Sequence, residues 1–217
     1  KYLLLITKTE NLFKVGKFSK CRETLETAKK IKDIYSYYYW TGILDFHQKG
    51  DLLTAEKNLL HALNIAPFSL EQERAKILFE LTQIKIQKND YKNATSFYNS
   101  AMDLLSPESK ILYTARYYNS ICEYNETIKT LDEDKHFQED YLVELSLAYL
   151  YSGKKVKAFR KLYSFYQKQG SQNYRFLKLL LYSSIIAGKH QQTQSILKNI
   201  INQSEEILHS NYLQTIE

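Results

Sequence analysis

The chain has 217 residues, a formal charge of +6, six Gly and two Pro. That length can bury a core of one or two domains. Scarce Gly and Pro, with no alternating runs bounded by turns, exclude a β-rich fold and leave an all-α one. The longest apolar run, Phe176 to Ala187, is interrupted by Lys178 and too short to span a bilayer.

Taken in order, the chain opens on Tyr2-Leu3-Leu4-Leu5-Ile6, which reads as helix from the start. Lys1 stands where an initiator would, so an N-terminal domain before it is expected. A ladder then begins. Gly16-Lys17-Phe18 is followed by Cys21, Leu25 and Ala28; Gly50-Asp51-Leu52 by Ala55, Leu59 and Ala62; Asn89-Asp90-Tyr91 by Ala94, Tyr98 and Ala101. Further on come Gly153-Lys154-Lys155 with Ala158, Leu162 and Phe165, and Gly188-Lys189-His190 with Thr193, Leu197 and Ile200. A fixed period of roughly 34 to 39 residues is the mark of stacked helix pairs that cannot bury their apolar faces singly.

Within each copy the corner residue separates two helices. In the second copy these run from Ile34 to Lys49 and from Leu53 to Ile65, and Pro67 ends the second. Gly at the corner accepts a left-handed backbone without steric cost, and Asn89 is the next best residue for it. Pro107 is expected to close the third copy as Pro67 closes the second. The fourth copy reads as degenerate: a first helix from Ile111 to Cys122, a truncated second from Glu126 to Leu131, and a failed rung around Asn125. The polar stretch Asp132-Glu133-Asp134-Lys135-His136 follows. The small residues Cys21, Ala55, Ala94 and Ala158 let helices approach, and Leu25, Leu59, Tyr98, Leu162 and Leu197 fill the space between. Cys21 and Cys122 form no CxxC pattern and are expected as buried, reduced thiols.

The corner, the small residue three after its aromatic, the large residue four later, the next Ala and the trailing Pro resemble the tetratricopeptide repeat (TPR). The resemblance implies a right-handed TPR-like α-solenoid of about six helix pairs in a single domain. Its repeats would span 1–34, 35–69, 74–107, 110–133, 138–170 and 172–204, with a capping helix over 205–217. It also implies a groove lined by the first helix of each pair. Carried onto this chain, the groove would hold Trp40, Thr41, His47, Lys76, Glu80, Gln83, Gln87, Arg116, Asn119, Glu144, Tyr151, Lys178 and Tyr182, with Glu10 and Lys14 at its start. Amides and Arg suit the backbone of an extended peptide, and Trp and Tyr give rigid contact area. The Lys and Asn set that some TPR modules use for an acidic C-terminal tail is absent: Ile6, Glu10, Thr41, Lys76 and Glu80 stand there.

No catalytic constellation is present. The chain lacks a Gly-rich phosphate loop, an HExxH and a nucleophile elbow. His47, His61, His136, His190 and His209 are scattered, and the acidic cluster around Asp132 lacks the spacing of a calcium loop. No enzyme activity, cofactor or metal is expected. The tyrosines at 35, 37, 38, 39, 113, 117 and 118 read as packing. Lys154, Lys155, Lys157, Arg160 and Lys161 read as a solvated basic corner. The expected role is a cytoplasmic protein- or peptide-binding scaffold. More narrowly, the chain resembles the TPR-type peptide-pheromone receptor regulators of Gram-positive bacteria or their phages. That implies a short peptide in the groove, a homodimer, no membrane contact, and nucleic acid met only through a domain outside this chain. A constitutive assembly adaptor and an RNA-binding helical repeat are the alternatives; basic residues do not recur at one position of every repeat, as the latter would need.

Overall fold

The computed structural model describes residues 1–31, 34–132 and 138–213, with Lys49, Asp132 and residues 202–213 described by backbone alone. The chain divides into two compact units, Lys1–Lys135 and His136–Glu217. The polar stretch from Glu133 to His136 lies outside the described residues.

The first unit holds four helix pairs. They are α1 (Tyr2–Lys14) with α2 (Phe18–Lys29), α3 (Tyr35–Leu44) with α4 (Leu52–Ile65), α5 (Glu71–Gln87) with α6 (Tyr91–Leu104), and α7 (Pro107–Ser120) with α8 (Tyr124–Asp132). The second unit holds α9 (Glu139–Tyr151) with α10 (Lys155–Gln169) and α11 (Tyr174–Ile186) with α12 (His190–Leu213). These six pairs, with no strand among the described residues, make an all-α repeat of helix pairs. α12 runs unbroken through Leu213, so no separate helix starts at Glu205.

The ladder is a set of near-identical corners. Gly16 donates its backbone N–H to Phe13 O (2.9 Å) and Lys17 to Leu12 O (2.8 Å). Asn89 and Asp90 repeat this onto Ile86 and Lys85, Gly153 and Lys154 onto Leu150 and Tyr149, and Gly188 and Lys189 onto Ile185 and Ser184. Each corner residue has positive φ, between 57° at Asn89 and 81° at Gly153. This paired return bonding satisfies the last carbonyls of each first helix.

The fourth rung does not fail. Cys122 adopts φ 64°, and Cys122 and Glu123 donate to Asn119 O and Tyr118 O in the same pattern. Cys122 is therefore the corner and is exposed, which corrects the expectation of a buried thiol; Cys21 is buried, and that burial pushes its thiol up to about 11. Pro107 also has another role. It opens α7 behind Ser106, whose hydroxyl accepts from the Ser109 N–H, because proline suits the first helical position.

The second corner departs from the rest. α3 passes into a π-helical turn, Asp45–Lys49, and the Asp51 N–H reaches back to Asp45 O, one residue further than elsewhere. The Asp45 side chain is buried and accepts from Arg22 Nη2 and Asn58 Nδ2, both at 3.2 Å. Inside the pairs, Ala28, Ala55, Ala62, Ala94, Ala101 and Ala158 are buried as the ladder requires. In the last copy the filler is Ile196, which is buried; Leu197 faces outward. Arg74 finishes α4 from the next pair: its Nη1 donates to Leu63 O and Ala66 O at 2.9 Å.

Candidate peptide-binding face

In the first unit the residues expected in the groove fall on three successive first helices and meet. His47, carried on the π turn, places Nε2 3.7 Å from Glu80 Oε2 on α5. Its ring lies against Phe46 and Phe13. Trp40 packs between Phe13 and Tyr39, with ring centroids at 5.6 and 5.2 Å. From α7, the Ser120 hydroxyl donates to Gln83 Oε1, while Gln83 Nε2 is buried and has no hydrogen-bond partner among the described residues. Arg116 sits 5.5 Å from the Tyr113 ring, which stands edge-on to Phe79. Lys76 pairs with Glu73 one turn back at 2.8 Å. Asn119 is half-buried and Gln87 exposed.

Two expected residues are less available. The Thr41 hydroxyl donates to Tyr37 O within its own helix. Glu144 in the second unit is buried, 1% exposed, and held by Arg175 Nη2 at 2.7 Å. It is removed from any groove, because α9 buries residues on nearly every side. Tyr151, Lys178 and Tyr182 are placed on α9 and α11, and all three are exposed.

Sequence reasoning missed one half-buried residue of this region, Tyr39. Burial first, then Glu80, Tyr113 and Glu73, push the Tyr39 phenol well above the ordinary tyrosine value, against the pull of Arg116. Tyr39 on α3 packs against the buried cluster that α4 and α5 share. The signal was present in the tyrosine run, but its spacing on α3 is equally that of packing residues. The face is mixed in character: carboxylates at Glu73 and Glu80, cations at Lys76 and Arg116, amides at Gln83 and Asn119, aromatic rings between. Such a surface can hydrogen-bond a peptide backbone and seat one or two apolar side chains. Among the described residues no group of three or more His, Cys, Asp or Glu could hold a metal ion.

The geometry defines a repeat of helix pairs whose first helices carry these side chains. No family model matches the chain, and no curated protein does. Solved structures similar to it include that of pilF from Pseudomonas aeruginosa, 15% identical with a TM-score of 0.48. That match covers 100% of this chain and 97% of the other. A tetratricopeptide repeat protein from Parabacteroides merdae is 14% identical, also with a TM-score of 0.48, over 93% of this chain and 92% of the other. Among the described residues no helix is long and apolar enough to cross a membrane.

Proposed function

We propose that the face built by α3, α5 and α7 binds an extended peptide or partner segment, and that the chain is a non-enzymatic, cytoplasmic interaction scaffold. One observation carries this. Polar and aromatic side chains from three successive helix pairs converge there, and a buried amide donor, Gln83 Nε2, has no partner among the described residues. An unsatisfied buried donor costs stability, and a peptide carbonyl would satisfy it. In the narrower reading the ligand is a short signalling peptide, and the chain is the sensing region of a transcriptional regulator. The peptide would then bind one arrangement of the helix pairs more tightly and shift the population toward it.

A thermal-shift screen against short synthetic peptides tests this. Binding peptides raise the unfolding temperature, and Arg116→Ala with Asn119→Ala abolishes the shift while helicity is kept. No shift with any short peptide removes the signalling reading; an unchanged shift in the double variant moves the site elsewhere.

A further inference from the structure

Charge is divided unevenly between the two units. Residues 1–135 carry twenty Lys or Arg against eighteen Asp or Glu. Residues 136–217 carry ten Lys or Arg against six Asp or Glu, and all ten cations fall between Leu145 and Ser204, a stretch with no acidic residue. Such asymmetry is the electrostatic footprint of a polyanion partner. The cations concentrate on α10 and the corner before it, where Lys154, Lys155, Lys157, Arg160 and Lys168 are exposed. Lys157, Lys161 and Lys168 recur at helical spacing along one side, a rise of about 16 Å over eleven residues. Lys154, Lys155, Arg160 and Lys168 form no ion pair among the described residues.

A cleft of about 330 Å³ opens between α10 and α12. Its walls are Tyr163, Tyr166, Gln167, Ser195 and Asn199, and the buried Ile196 lies at its base. Tyr163 is already stacked on Phe159, with centroids 5.2 Å apart and planes at 21°, so its ring is fixed before any ligand arrives. Gln167 and Arg160 are two turns apart on the side of α10 where the cleft meets the cationic face, and Lys198 is exposed on the facing helix. No acidic residue lines the cleft among the described residues.

We propose that this cleft and the cationic face of α10 bind single-stranded RNA. One unstacked base enters the cleft against Tyr163 and Tyr166, where the Gln167 and Asn199 amides meet its edge. The phosphates run over Arg160 and Lys168. The Ser195 hydroxyl and the phenols supply partners for a 2′-hydroxyl, which favours RNA over DNA. An acidic peptide would use the cations but leave the aromatic and amide cleft empty. This site is independent of the peptide face in the first unit. It also departs from the expectation that nucleic acid is met only outside these residues.

The test is fluorescence anisotropy of a labelled short oligouridine with the full chain, over salt from about 50 to about 300 mM. Binding is expected to tighten as salt falls. Arg160→Gln with Lys168→Gln should reduce the slope of log K against log salt by about 1.4, since each phosphate left without its cation removes about 0.7. Gln167→Ala with Asn199→Ala should weaken binding about tenfold and leave the slope alone. These four side chains are exposed, and circular dichroism checks the fold; the cleft substitutions are also made singly so that a readout survives if the pair unfolds. No binding at the lowest salt overturns the proposal. So does equal affinity for duplex RNA, for polyglutamate or for phosphatidylserine vesicles, or an unchanged affinity in the cleft variants. Equal affinity for single-stranded DNA overturns the choice of RNA.

Discussion

Arg175 holds the carboxylate of Glu144 at 2.7 Å, and only one of the two is in water: Arg175 is half-exposed, while Glu144 is buried. The pair ties α11 to α9, and near the start of both helices the Ser171 hydroxyl also donates to Glu139. Removing one member of such a pair strands the other charge in a poor solvent, which costs far more than the pair contributes. Arg175→Met should therefore destabilise the second unit by about 3 kcal/mol. Adding Glu144→Gln should restore most of the loss. Urea unfolding of the single and double variants measures both, and additive losses would contradict the coupling.

Gly42 lies where α3 crosses α4. A Cβ there would stand 2.8 Å from Leu59 Cγ and 3.2 Å from the Ala55 carbonyl oxygen. The carbonyl belongs to a helix and cannot swing aside. Gly42→Ala should lower stability by roughly 1–3 kcal/mol through overpacking, despite the better helix propensity of Ala. A rise in the urea midpoint would mean that α3 and α4 separate more readily than their packing suggests.

Cys122 holds a left-handed backbone that disfavours any side chain with a Cβ. Cys122→Gly should raise stability by about 1 kcal/mol, and Cys122→Ala should leave it nearly unchanged. Comparing the two midpoints separates the backbone effect from the loss of a thiol.

Glu56 accepts from Lys85 and Lys88, both at 2.7 Å, and Lys85 also reaches Asp90. Partial burial works against the Glu56 charge, but the two lysines prevail and hold its carboxyl below the ordinary value. Asp90 is lowered too, first by the Asn93 side chain. A carboxylate depressed in the folded state stabilises fully above its ordinary range and loses that stability as pH falls through the folded value. Lys85, raised first by its bond to Glu56, gives the opposite limb: its contribution is complete below the ordinary lysine value and fades as pH rises through the raised one. Urea midpoints should therefore fall in strong acid and in strong alkali, with Glu56→Gln flattening both limbs.

The sequence makes the corners legible at Gly16, Gly50, Asn89, Gly153 and Gly188, because left-handed backbone selects so few residue types. The same logic hides Cys122, whose side chain has no such preference and whose helical spacing reads as core. Pro107 is ambiguous by nature, since a missing N–H suits a helix start as well as the residues after a helix end. For the candidate face, repeat register alone brings His47 to Glu80 and Gln83 to the start of the next pair's corner at Ser120. Glu144 is misread, because a first helix covered on nearly all sides offers no polar stripe to mark which face is free. The π turn leaves no trace in composition, and one extra residue within a helix looks like any other.

The corners also govern how the chain acquires its structure. Each return bond closes a loop of only a few residues, and each helix packs chiefly on its neighbours in sequence. The entropy of ring closure is thus small at every step. Low contact order of this kind favours fast folding of each helix pair on its neighbour. Any pair can serve as the nucleus from which order spreads to the next. A single weak corner then slows propagation locally without blocking it, and Cys122, the strained corner, is where that pause should fall.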